Sequence, residues 1–117
     1  MQLIDHSSHL SYYLIISKIE NKLFVFALKL NDIITIPVFK DENKAVEFCK
    51  ELEKSSDNRI FFDLFQIQES LLSTFYDYLI FYNNIVEPVK LLEIEDSDFF
   101  FYNEENSKNF IMIEVDN

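Results

Sequence analysis

Glycine is absent from this chain of 117 residues. Every tight turn must then be made by a residue with a Cβ, which pays about 1–2 kcal/mol for a left-handed backbone. Asparagine tolerates that conformation best, and ten are present. The same absence excludes whole classes of site. Dinucleotide fingerprints, P-loops and nucleophile elbows all need glycine where backbone approaches a ligand or turns sharply.

With asparagine as the turn residue, the chain divides into elements. Tyr12 to Ser17 (YYLIIS) and Leu23 to Leu28 (LFVFAL) are β-branched and aromatic, and read as strands. The polar segment Lys18 to Lys22 joins them, with Asn21 available for positive φ. Leu30-Asn31-Asp32 is a second such turn, leading into a strand over Ile33 to Val38. Pro37 cannot donate to a ladder, so it belongs near the end of that strand or at an edge.

Asp41 to Lys54 predicts a helix with Asp41 as N-cap. Ala45, Phe48, Cys49 and Leu52 fall at i, i+3, i+4 and i+7, a single apolar stripe. Arg59 to Ile67 reads as a strand. Glu69 to Tyr82 predicts a second helix, with Leu72, Phe75, Tyr76 and Leu79 at helical spacing and Leu71 and Ile80 widening the stripe. Asn83-Asn84 is its stop in place of glycine. Ile85 to Ile94 (interrupted by Pro88), Phe99 to Tyr102 and Phe110 to Val115 read as the last three strands. The order βββ-α-β-α-βββ predicts a two-layer α+β fold in one domain over residues 1–117. Both helices are expected on one face of a mostly antiparallel sheet.

A hydrophobic fraction of 49% supplies a core without disulfides. Cys49 is the only cysteine, so no internal disulfide and no cysteine-based zinc site can form. It lies on the apolar stripe of its helix and reads as an inert thiol. The amino terminus lacks a basic region before its apolar run and carries Asp5, His6 and His9, a poor signal peptide. No apolar run approaches the ~20 residues that span a bilayer. A cytoplasmic protein is expected.

Ile36-Pro37-Val38-Phe39-Lys40-Asp41 runs into Glu42-Asn43-Lys44-Ala45-Val46-Glu47-Phe48 after a hydrophobic hairpin. Over about residues 22–54 this resembles the SseB amino-terminal domain family, in which a strand ending in a Pro-Val-Phe-like turn leads into a helix. The family's hairpin glycines are missing here. The resemblance implies an α+β interaction module with no known catalytic residue.

Charge is divided unevenly. Residues 1–60 carry eight basic and nine acidic side chains, and residues 61–117 carry two and twelve. Nearly all the net charge of −11 therefore lies in the second half. Such a surface repels nucleic acid and anionic membranes and favours a basic partner. Glu93, Glu95, Asp96, Asp98, Glu104 and Glu105 fall within thirteen residues free of Lys and Arg. Phe99, Phe100, Phe101 and Tyr102 stand among them, and alternation on a strand would send two of these four rings to each face. Glu93, Glu95, Asp96, Asp98, Phe100, Tyr102, Glu104 and Glu105 are thus the candidate partner-binding residues. The alternative for this segment is a solvated hairpin rim.

Other chemistry finds little footing. Counted from Asp96, an EF-hand would need glycine at Phe101 and glutamate at Ser107. His6 and His9 have no third ligand of matching type. Neither a cofactor nor a metal is expected. The first function expected is a non-enzymatic module that binds a basic protein surface, as an inhibitor or immunity-type factor would, with mimicry of nucleic acid as one form. The second is an accessory subunit or homodimer held by apolar contacts.

Overall fold

A computed structural model describes residues 10–55, 60–95 and 110–115. Six strands and two helices follow in order: β1 (Ser11–Ile19), β2 (Lys22–Leu30), β3 (Ile33–Val38), α1 (Glu42–Ser55), β4 (Phe62–Gln68), α2 (Glu69–Tyr82), β5 (Val89–Glu93) and β6 (Phe110–Val115). The class is α+β, as the order of elements predicts. The expected strand at Phe99 to Tyr102 lies outside the described residues.

Both hairpins are tighter than the sequence indicates. Two residues join β1 to β2, Glu20 and Asn21, at φ 52° and 68°. Two join β2 to β3, Asn31 and Asp32, at φ 52° and 65°. Two consecutive positive φ values match the twist of the flanking strands, the geometry for which asparagine–glycine pairs are usual. Here Asn21 and Asp32 take glycine's place, and Glu20 and Asn31 that of the asparagine before it.

Among the described residues four of the five strand pairings are antiparallel: β1 with β2, β1 with β4, β2 with β3 and β2 with β6. The fifth, β3 with β5, is parallel. The parallel pairing explains why the last third of the chain departs from expectation. Pro88 precedes the ladder, its carbonyl accepting from Ile34 N–H at 2.9 Å, and β5 is shortened to Val89–Glu93.

The sheet forks at β2. Val25 pairs with both Ile16 and Ile113, and Leu28 with both Thr35 and Phe110. A residue has only two lateral neighbours, so β6 holds one edge of β2 while β1 and β3 share the other. A bridge between Tyr13 and Phe39, with N–H···O distances of 2.7 and 3.0 Å, ties the start of β1 to the end of β3.

The helices lie on opposite faces of this sheet, and the expectation of two layers with both helices together is corrected to three. Ile15, Phe26 and Leu28 are buried with Ala45, Phe48, Cys49 and Leu52 of α1. Their immediate neighbours Leu14, Val25 and Ala27 are buried in a second cluster with Leu79 of α2. Successive side chains point to opposite faces, so each face has its own helix. The reason is visible in LFVFAL and FIMIEV. Strands apolar at consecutive positions need cover on both sides.

The two layers are packed differently. Under α1, Phe26 meets Phe48, Phe62 and Phe110 edge-on, at ring centroid distances of 5.8, 5.9 and 5.0 Å. Phe39 meets Phe48 in the same way at 5.0 Å. These edge-to-face contacts build an aromatic core. Under α2 only Leu79 of the helix is fully buried. Its rings form a ladder: Phe65 to Phe75 at 5.4 Å, Phe75 to Tyr78 at 6.4 Å, Tyr78 to Tyr82 at 5.8 Å.

The helix ends follow their caps. Asp41 Oδ1 accepts from Asn43 N–H at 2.8 Å, as an N-cap should. At the end of α2, Ile85 N–H donates to Ile80 O and Asn84 N–H to Phe81 O, with Asn84 at φ 52°. That is a Schellman motif with asparagine in the glycine position.

Candidate functional site

Of the expected partner-binding residues, the structure places two. Glu93 ends β5 and Glu95 follows in the exposed segment after it. Asp96, Asp98, Phe100, Tyr102, Glu104 and Glu105 lie outside the described residues, as do His6 and His9.

Glu93 is not isolated. Its carboxylate pairs with Lys40 at 3.7 Å. Lys40 Nζ also lies 5.9 Å from the centre of the Tyr12 ring, within cation–π range. Tyr12 donates its hydroxyl hydrogen to Glu69 Oε2 at 3.4 Å. Four elements thus converge: the start of β1, the turn after β3, the first turn of α2 and the end of β5. Desolvation pushes the Tyr12 hydroxyl above the ordinary tyrosine value, Lys40 opposes this, and Glu69 and Glu93 add to it. Beside the cluster is a shallow hollow of about 270 Å³ lined by Ser11, Tyr12, Lys40, Gln66 and Glu69 among others.

The backbone explains why Glu69 is fixed here. β4 passes into α2 with no intervening loop, and Gln68 contributes no side-chain cap. Glu69 N–H instead donates to Leu10 O at 2.9 Å. A carboxylate in a helix's first turn also suits the positive end of its dipole.

The lysines of the first half are partly spent on the carboxylates of the second. Lys22 pairs with Glu114 at 3.9 Å, Lys29 with Glu87 at 3.2 Å and Lys40 with Glu93. All three pairs are solvent-exposed, a setting in which each contributes about 0–1 kcal/mol. Asp63, Asp77 and Glu95 lie on the exposed surface as well.

Cys49 is buried between α1 and β4. Burial, with Glu53 and Asp63 nearby, pushes its thiol up to about 12. At neutral pH it is protonated and a poor nucleophile, as its place on the apolar stripe indicates. Among the described residues no group of three or more His, Cys, Asp or Glu is placed to hold a metal. No helix among them is long and apolar enough to cross a membrane.

A second surface escaped the sequence reading. Phe81 at 84% exposure and Val86 at 92% are the most exposed large apolar side chains among the described residues, and Leu71 is at 53%. The signal was present in ESLLSTFYDYLIFY, which holds more apolar positions than one face of a helix accommodates.

No protein-family model, curated protein or solved structure matches the chain.

Proposed function

We propose that this chain is a non-enzymatic module that binds a basic surface on another protein, as an inhibitor or immunity-type factor does. The observation that carries the reading is the division of charge, −1 in residues 1–60 against −10 in residues 61–117. Within the described part of the second half, seven carboxylates face a single cation, Lys90. Complementary charge of this kind steers encounter and sets on-rate more than it adds affinity. The contact would start from Glu93 and Glu95 and continue through Asp96 and Asp98, with Phe100, Tyr102, Glu104 and Glu105 beyond. Occupation of a groove that otherwise holds phosphates is one form this binding takes. The likeness of residues 22–54 to the SseB amino-terminal domain family agrees with an interaction role.

The test is affinity capture at low and high salt, followed by reversal of Glu93, Glu95, Asp96 and Asp98 to lysine. Binding that weakens with salt and is lost on reversal supports the reading, and binding indifferent to both removes it.

A second reading, an accessory subunit or homodimer held by apolar contacts, is favoured by the exposure of Phe81 and Val86. Salt separates the two, because it screens charge and leaves apolar association intact or strengthened.

A further inference from the structure

The fourteen residues of α2 include nine apolar ones, yet only Leu79 is fully buried. At about 3.6 residues per turn, Leu72, Phe75, Tyr76 and Leu79 face the sheet. Leu71, Phe75, Tyr78 and Tyr82 fall at i, i+4, i+7 and i+11 and widen the apolar face along one flank, with Phe75 and Tyr78 half-buried against the core and Leu71 and Tyr82 exposed. Phe81 lies beside that row, three positions after Tyr78. Leu71 is 53% exposed, Phe81 84% and Tyr82 39%. The stacked rings of Phe75, Tyr78 and Tyr82 make this flank a continuous apolar rail. A helix on a sheet normally keeps its apolar face to the covered side, and a face that runs on into exposed Leu71, Phe81 and Tyr82 marks a contact.

Charge selects the occupant. α2 has no basic residue and carries Glu69 and Asp77. Across the described stretch 60–95 there are six carboxylates and one lysine. A second copy laid on the same flank would set two chains of net charge −11 against each other, with Asp77 of each beside the contact. A basic segment meets no such repulsion.

We propose that the flank of α2 formed by Leu71, Phe75, Tyr78, Phe81 and Tyr82 docks an amphipathic basic segment of the partner. Its apolar side chains lie along the rail, and its Lys or Arg side chains reach Asp77, one turn before Phe81. This rests on the reading of the chain as a binder of basic protein surfaces, and adds a second place of contact to the one that starts from Glu93 and Glu95. Apolar anchors at i, i+3, i+4 and i+7 are the usual way one helix reads such a surface.

The probe is a synthetic helical peptide of leucine and lysine in amphipathic order. Its controls are a scrambled peptide of the same composition and an amphipathic analogue with glutamine for lysine. Binding is followed by amide chemical-shift changes on the whole chain. The expected result is that the amphipathic basic peptide binds at least about tenfold more tightly than either control. Its shifts should centre on residues 71–82. Leu71→Ser and Phe81→Ser, at exposed positions where folding is spared, should each weaken it about fivefold to tenfold.

Equal binding of the scrambled peptide, unchanged by Leu71→Ser and Phe81→Ser, overturns the docking flank and leaves the charge reading standing. A dimer in light scattering that Phe81→Ser dissociates overturns it in favour of a second copy. Intramolecular photocrosslinks from position 71 overturn it in favour of the chain's own residues. Absence of salt-sensitive binding to either lysine peptide overturns the docking flank, and salt-indifferent capture of the partner, measured separately, removes the underlying reading.

Discussion

Four side chains do the work that glycine usually does at the two hairpins, and they do it unequally. Asn21 and Asn31 are most at home at positive φ, Asp32 less so, and Glu20 least. Asp32→Gly sets glycine after Asn31, the favoured order for such a turn, and should stabilise the fold by about 1 kcal/mol in urea titration. Asn83 is a different case. Its Nδ2 donates to Leu79 O and to Glu114 O, both at 2.9 Å, which ties the end of α2 to β6. Asn83→Ala removes both bonds and should cost about 1–3 kcal/mol by the same measurement. Cys49 tests the interior of the α1 layer. Its thiol is raised from 9.0 to about 12. A raised folded-state value means that the stabilisation is complete below about pH 9. It is lost as pH climbs from there through about 12, because the unfolded chain releases its proton first. Near pH 8 a shift of this size leaves about a thousandth of the thiolate present in the unfolded chain. Alkylation by iodoacetamide should therefore be slowed at least about a hundredfold on folding, and comparable rates with and without urea would show Cys49 to be open.

The two helices were equally legible in sequence but not equally understood. Their extents, and those of β3 and β6, follow from periodicity and capping signals, because those signals are local. Asp41 before Glu42 and Asn83-Asn84 after Tyr82 mark their ends without reference to the rest of the chain. The faces of the sheet were less legible. YYLIIS, LFVFAL and FIMIEV read as strands from their β-branched and aromatic content, but their consecutive apolar residues meant cover on both sides, and that is a property of the assembled sheet. The parallel pairing of β3 with β5 was hidden for the same reason, since register belongs to two distant segments at once. The asymmetry of the layers yields its own test. Phe48 is fully buried among Phe26 and Phe39, so Phe48→Ala should cost about 3–5 kcal/mol. Phe81→Ala should fall within about 0.5 kcal/mol, as at other exposed sites. A large loss at Phe81 would mean that α2's flank is already covered within the monomer.

Across the molecule the charge division is partly folded away. Lys22, Lys29 and Lys40 of the first half reach Glu114, Glu87 and Glu93 of the second, so the acidic half is not wholly unbalanced in space. The pairs are exposed and weak, and a partner bearing several cations can displace them at little cost. The candidate site was legible only as a composition, acids and aromatics crowded near residue 93. The convergence of Tyr12, Lys40, Glu69 and Glu93 depends on β1, β5 and α2 meeting, which no local pattern announces. The most direct measurement is the salt dependence of binding to the captured partner, for the native chain and for the variant with Glu93, Glu95, Asp96 and Asp98 reversed to lysine. Between about 0.05 and 0.5 M salt, as the screening length falls from about 14 Å to about 4 Å, the native chain should lose at least about tenfold in affinity, mainly through a slower on-rate. The reversed variant should bind weakly throughout. Equal affinity at both salts, with the reversed variant indistinguishable from native, would contradict charge-led recognition.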